Sequence, residues 1–181
     1  MSDDNIIHFN PWQDFNDAPS IEDPFDVEPD PAQIETFLDV VFGYCEGQIP
    51  VRGFVDMGQG KEGRPHNIWI DADTTAPGKL ATFANWAWRE GAAAYVIPGT
   101  VAAPGQAKAA EILQMQAVVV DIDNGDIAAK RAHLERHLGL PTMVVESGGI
   151  TPEGQRKCHV WWKLSEPADG DDIRRVSRLR G

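Results

Sequence analysis

The sequence predicts an α+β domain, a mixed β-sheet flanked by helices. Short runs of period 2 alternate with runs of period 3.6 along most of the chain. The apolar strand "AVVVDID" runs to two carboxylates before Gly125 breaks its pattern. Helix-start and helix-stop residues bracket "DIAAKRAHLERHLG".

The chain has 181 residues, enough for one compact domain, and a formal net charge of −12. That charge is unevenly spread. Residues 1–51 hold twelve Asp and Glu and no Lys or Arg, and in the remainder sixteen acids balance sixteen bases. The neutral remainder therefore gives no argument against an anionic ligand. No run of about 18 apolar residues marks a membrane span, and the first residues lack a secretory pattern. Cys45 and Cys158 are too few for a disulfide framework or a cysteine zinc site, which fits a cytoplasmic setting.

Residues 1–31 carry five prolines and nine acids without helical or strand period, so they are expected to be a disordered or loosely attached leader. The acidic-aromatic "SIEDPFDVEPD" within it is an alternative docking peptide, but a solvated leader is the simpler reading. Residues 32–181 are expected to form the domain. Ile34, Leu38, Val41 and Phe42 recur at helical spacing, with Pro31 at the start and Gly43 at the end. "PVRGFVDMGQG" and "HNIWID" read as a hairpin joined through Gly58, Gly60 and Gly63. Pro77 to Arg89 reads as a helix burying Leu80, Phe83 and Trp86 or Ala87, and "AAAYVIPG" as a strand. "TVAAPGQAKAAEI" reads as a small-residue connection to the strand from Met115. Asp126 and Gly139 cap the next helix, "PTMVVESGG" and "KCHVWWKLSEP" are strands, and "DGDDIRRVSRLRG" is a basic tail helix.

The chemistry centres on Asp121 and Asp123. Alternation along a strand points both carboxylates to one face, about 7 Å apart or less. Two like charges so placed repel, and a divalent cation removes the conflict. Oxygen-only ligands at a strand end suit Mg²⁺ or Mn²⁺ carrying substrate phosphates. A second pair, Asp71 and Asp73 in "IWIDADTT", matches a DxDxT phosphatase pattern with Asp71 as nucleophile and Asp73 as acid. That chemistry needs a central parallel strand, and "HNIWID" follows a hairpin partner. His159 shares a strand face with Trp161 and Lys163 and follows Arg156 and Lys157, a setting suited to donating to phosphate oxygens. Trp161 and Trp162 fall on opposite faces. Core packing is the expected role of both, with base stacking as the alternative.

"AVVVDIDNGD", "HLGLPTMVVESGG" and "KCHVWWKLSEP", in that order, resemble the archaeo-eukaryotic primase superfamily. Within it, the likeness is to phage and plasmid primases and primase-polymerases with a RepB-like primase domain. The resemblance covers about residues 50–181. It implies an RRM-like catalytic core performing metal-dependent nucleotidyl transfer from NTP or dNTP on a DNA template. Asp121 and Asp123 would be the Mg²⁺ or Mn²⁺ ligands, and His159 would contact the nucleotide, with Ser147, Arg156 and Lys157 as further nucleotide-binding candidates. Arg174, Arg175, Arg178 and Arg180 are candidates for template DNA, and a replicative helicase or helicase domain is a possible partner. A catalytically inactive module for nucleotide or single-stranded DNA is the alternative. Two departures are visible. Lys157 stands where a small residue is usual, and the family's third motif, a later strand bearing Asp, has no counterpart. Asp169, Asp171 and Asp172 read more simply as helix caps, so the chain is expected to be a fragment or a natural truncation.

Overall fold

The computed structural model describes residues 7–9, 28–55 and 65–178. The elements run β1 (Ile7–Phe9), α1 (Pro31–Phe42), β2 (Gln48–Val55), β3 (His66–Asp71), α2 (Ala76–Arg89), β4 (Ala92–Val96), β5 (Thr100–Val101), β6 (Ile112–Ile122), α3 (Ile127–Leu138), β7 (Met143–Ile150), β8 (Arg156–Asp169) and α4 (Gly170–Arg178). The fold is α+β, a mixed and mostly antiparallel sheet with helices on both faces. Its strand order is β1-β7-β8-β6-β5-β2-β3, with β4 also paired to β2. Among the described residues, only the β1–β7 ladder is parallel. No described helix is long and apolar enough to cross a membrane.

Strand alternation divides the core in two. On the front face, Ile49, Val51, Ile70, Ala117, Val119 and Trp161 pack against Leu38 and Val41 of α1 and Leu80 and Phe83 of α2. On the rear face, Val118, Ile122, Val160 and Trp162 pack against Ile127 of α3 and Val176 of α4. Both tryptophans are core residues, 5% and 8% exposed. Trp161 meets the edge of Phe37 at 5.6 Å, and Trp162 donates through Nε1 to the Gly139 carbonyl at 3.0 Å. Neither presents a ring face for stacking.

One buried side chain sets the phase of β6. Gln116 is 1% exposed. Its Oε1 accepts from the Tyr44 amide, and its Nε2 donates to the Asp39 and Val40 carbonyls at 2.8 and 3.0 Å. The Asp39 carbonyl also accepts from the Gly43 amide at 3.2 Å, so the Gln116 carboxamide adds the Tyr44 amide and the Val40 carbonyl to the groups satisfied at the C-terminus of α1. Gln116 thus points to the front, and so does its neighbour Ala117, while Met115 and Val118 point to the rear. Two consecutive residues share a face only at a bulge. The pairing confirms one: Met115 lies opposite Ala168 and Ala117 opposite Lys163, with Leu164–Pro167 of β8 looping between. Strict alternation from Gln116 would send Asp121 to the rear; the bulge brings it to the front.

The sheet forks beside this point. β5 pairs with β6 through Thr100↔Gln114 and Val101↔Ile112, and with β2 through Gln48↔Val101. Beyond it, β4 follows β2 and β6 follows β8, and no ladder joins β4 to β6 among the described residues. Pro98 has no N–H to offer a ladder. At Gly99 a Cβ would stand 2.9 Å from Ile112 and 3.1 Å from the Gln114 carbonyl oxygen.

Several sequence expectations need correction. Ile7–Phe9, inside the leader read as disordered, pairs with Met143–Val145; the other leader residues before Glu28 lie outside the described set. The connection "TVAAPGQAKAAEI" contains β5 and a 3₁₀ turn at Ala109–Glu111. β8 continues through Pro167 to Asp169. The turn through Gly58, Gly60 and Gly63, and Arg180, lie outside the described residues.

Replacing Gln116 with Leu leaves the Tyr44 amide and the Val40 carbonyl without this partner, while the Asp39 carbonyl keeps the Gly43 amide. At about 1–3 kcal/mol per unsatisfied group, urea unfolding is expected to show a loss of about 2–4 kcal/mol. A loss under about 0.5 kcal/mol, the usual range for surface changes, would show that the clamp does not hold α1 to β6.

Candidate metal and nucleotide site

Asp121 and His159 are register partners on β6 and β8. His159 Nε2 stands 3.4 Å from Asp121 Oδ1, with the side chains 38% and 59% exposed. At that separation the two groups face each other across the strands and pair as ions whenever the imidazole carries a proton. Asp123 follows on the same strand phase, just past the end of β6. There Asn124 Nδ2 donates to Asp123 Oδ1 at 2.8 Å, and Lys130 Nζ donates to Asn124 Oδ1 at 2.6 Å. The turn needs Gly125, whose φ of +65° is left-handed. The Lys130 stem lies over this glycine, 3.6 Å from where a Cβ would stand.

The start of α3 is fully employed. Asp126 caps it, accepting from the Ala129 amide at 3.0 Å, and the Asp126 carbonyl accepts from the Lys130 amide. Gln155 Oε1, from the β7–β8 hairpin, accepts from the Ile127 and Ala128 amides at 2.7 and 3.2 Å. The helix end therefore has no free amide for phosphate. Instead it fastens the hairpin to the turn that carries Asp123. Nothing in the sequence marks Gln155 or Lys130 for these positions, because both contacts are set by tertiary structure.

The other candidates divide by face. Lys157 shares the strand phase of His159, and its stem runs over Gly149, where a Cβ would meet it at 2.7 Å. Ser147 is exposed, in the stretch where pairing between β7 and β8 is interrupted between Glu146 and Ile150. Arg156 has the opposite phase and binds Glu146 at 2.6 Å, so it is not brought to Asp121 and His159. Lys163 is on the front face but engaged with Asp39 at 3.0 Å and over the Tyr44 ring.

Helix α4 follows the end of β8 that pairs with the start of β6, and its Val176 packs in the rear core. It therefore sits at the far end and on the opposite face from Asp121. Arg174 and Arg175 are paired with Asp171 at 3.6 Å and Asp172 at 2.8 Å. Arg178 ends the helix.

The Asp71 and Asp73 pair does not form the arrangement its DxDxT pattern requires. Asp71 ends β3, an antiparallel edge strand, where it binds Lys79 at 3.1 Å and accepts from Gln48. Asp73 accepts from the Thr75 hydroxyl and amide at 2.6 and 2.8 Å. The Thr75 hydroxyl, then its amide, holds the Asp73 carboxyl below its ordinary range. A carboxyl so committed to its anionic form is a poor general acid.

Among the described residues, no group of three or more His, Cys, Asp or Glu could hold a metal ion. Asp121 and Asp123 are hard oxygen donors with open faces. They fit an ion whose remaining ligands come from water and phosphate. Cys158, beside His159 in sequence, is buried on the rear face, and burial raises its thiol pKa. It is not a nucleophile at neutral pH.

Burial pushes Cys45 from 9.0 up to about 11. Below pH 9 both folded and unfolded chains keep the thiol protonated. Above it the unfolded chain releases the proton first, so stability is expected to fall between pH 9 and 11. At pH 8 neither cysteine should react with Ellman's reagent until denaturant is added; labelling of the native protein would contradict their burial. Comparison with protein-family models, with curated proteins and with solved structures gives no match for this chain.

Proposed function

We propose that the chain is a primase or primase-polymerase domain of phage or plasmid replication, binding a metal–nucleotide complex on Asp121, Asp123 and His159 for nucleotidyl transfer on DNA. The observation that carries this reading is the cross-strand pairing of Asp121 with His159, 36 residues downstream of Asp123, two residues on the same strand phase. The sequence motifs and their order support it, and an RRM-like, primase-like core is the finer fold proposed. Mg²⁺ or Mn²⁺ bound by the carboxylates would supply charge neutralisation for the triphosphate and activate the attacking hydroxyl.

The chain's own residues do the positioning. Asp121 and Asp123 hold negative charge at the end of β6, kept apart from apolar surroundings by the open turn. His159 would donate a ring N–H to a phosphate oxygen. Lys157 on the same face and Lys130 beside the turn add positive charge. Substrate alignment, rather than proton transfer by a protein base, is the main demand of this reaction class.

A second reading, a catalytically inactive nucleotide or single-stranded DNA module, is favoured by one observation: the described residues hold no third carboxylate with Asp121 and Asp123. Primer extension with Mn²⁺ separates the two, since binding without extension favours the module.

Titration calorimetry with Mn²⁺ and dNTP tests the site. Asp121→Ala with Asp123→Ala is expected to abolish metal-dependent nucleotide binding. His159→Ala is expected to weaken it about 10- to 100-fold, the worth of one charge-assisted hydrogen bond of roughly 1.5–3 kcal/mol, with little change in melting temperature. Asp71→Asn with Asp73→Asn should leave affinity intact. A lower melting temperature with unchanged affinity for His159→Ala would reassign that residue to packing.

A further inference from the structure

Among the described residues, no helix packs on the rear face of the β2–β3–β4 unit. The rear core, which gathers α3 and α4, contains no residue of these three strands. Val51 and Gly53 of β2 face the front, the first in the front core and the second beneath Trp86 and Phe83 of α2. Arg52 and Phe54 therefore face the rear, with Asn67 and Tyr95 as the cross-strand partners of Arg52. Tyr95 is 57% exposed and meets Phe54 at 5.7 Å between ring centroids, edge to face. Arg52 lies over the Phe54 ring at 5.8 Å and donates from Nε to Asn67 Oδ1 at 2.8 Å. Among the described residues it has no carboxylate partner, in contrast to Arg174 and Arg175. A shallow depression between Arg52, Asn67, Trp69 and Ala107 adjoins these rings.

We propose that this surface is a stacking platform for single-stranded nucleic acid, with bases on Tyr95 and Phe54 and a phosphate at Arg52. The proposal rests on the reading that the chain handles a nucleic-acid template. Its chemistry is that of sequence-tolerant single-strand binding: an exposed Tyr95 ring beside the half-buried Phe54 ring on a sheet, and a cation with no carboxylate partner among the described residues. An acidic peptide would satisfy Arg52 but would need pockets for its side chains, and the depression here is shallow. The front face of the same strands is closed by α1 and α2. The platform also borders the fork, since β4 is the strand that parts from β6.

The test is fluorescence anisotropy with a labelled oligothymidylate of about 16 nucleotides at low salt. The wild-type chain is expected to bind it. Tyr95→Ala and Arg52→Gln are each expected to weaken binding about tenfold, with unchanged circular dichroism and melting temperature. Manganese–nucleotide affinity of both variants should stay at the wild-type value. Wild-type affinity in Tyr95→Ala, or loss confined to Arg174→Gln with Arg175→Gln, overturns the platform. So does wild-type binding of a peptide of residues 14–31 without binding of the oligonucleotide. Should the oligonucleotide depend on Tyr95 while nucleotide binding ignores Asp121 and Asp123, the platform stands and the metal site falls. The converse result removes the platform alone.

Discussion

Gln116 is a buried polar residue with three partners at the end of α1, and the placement of the candidate site follows from it. A buried amide must find hydrogen-bond partners or cost several kcal/mol, and the C-terminal end of α1 supplies them. Meeting that demand turns Gln116 to the front, and Ala117 must then share its face. The bulge in β8 from Leu164 to Pro167 absorbs the mismatch. From there alternation carries Ala117 and Val119 into the front core and leaves Asp121 facing the front beyond them. The carboxylate, its partner His159 and the helix packing are thus consequences of one phase choice.

The same choice explains what surrounds the carboxylates. Since Val118, Val120 and Ile122 face the rear, α3 packs behind the strand rather than over Asp121. The Asp126 cap and the Gln155 bridge then fasten the turn after Asp123 to the β7–β8 hairpin. The result is a pair of exposed carboxylates on a turn held by hydrogen bonds to the helix start and the hairpin.

Much of the fold was legible because local chemistry decides it. Pro31 and Gly43 bound α1, and Asp126 and Gly139 bound α3, through capping that needs only neighbouring residues. "HNIWID" matches β3 residue for residue. The side-by-side placement of Asp121 and Asp123 follows from alternation alone. What was not legible depends on distant partners. β5 is two residues long and exists through pairing with β2 and β6. Pro167 reads as the end of a strand, whereas it lies in a bulge, one of the places where a sheet tolerates proline. Alternation also holds a lesson about Arg156: three residues before His159, it belongs to the other face, where Glu146 binds it. Arg174 and Arg175 of α4 have their acids three residues earlier, a helical spacing visible in the sequence.

The central claim, that β6 and β8 present Asp121, Asp123 and His159 as one metal–nucleotide site, is tested most directly by paramagnetic broadening of amide resonances. With substoichiometric Mn²⁺ and dNTP, the amides of residues 121–124 and 158–160 are expected to broaden first, while those of Asp71–Thr75 and α4 stay sharp. Selective broadening around Asp71 and Asp73, or broadening at Asp121 that leaves His159 sharp, would contradict the account.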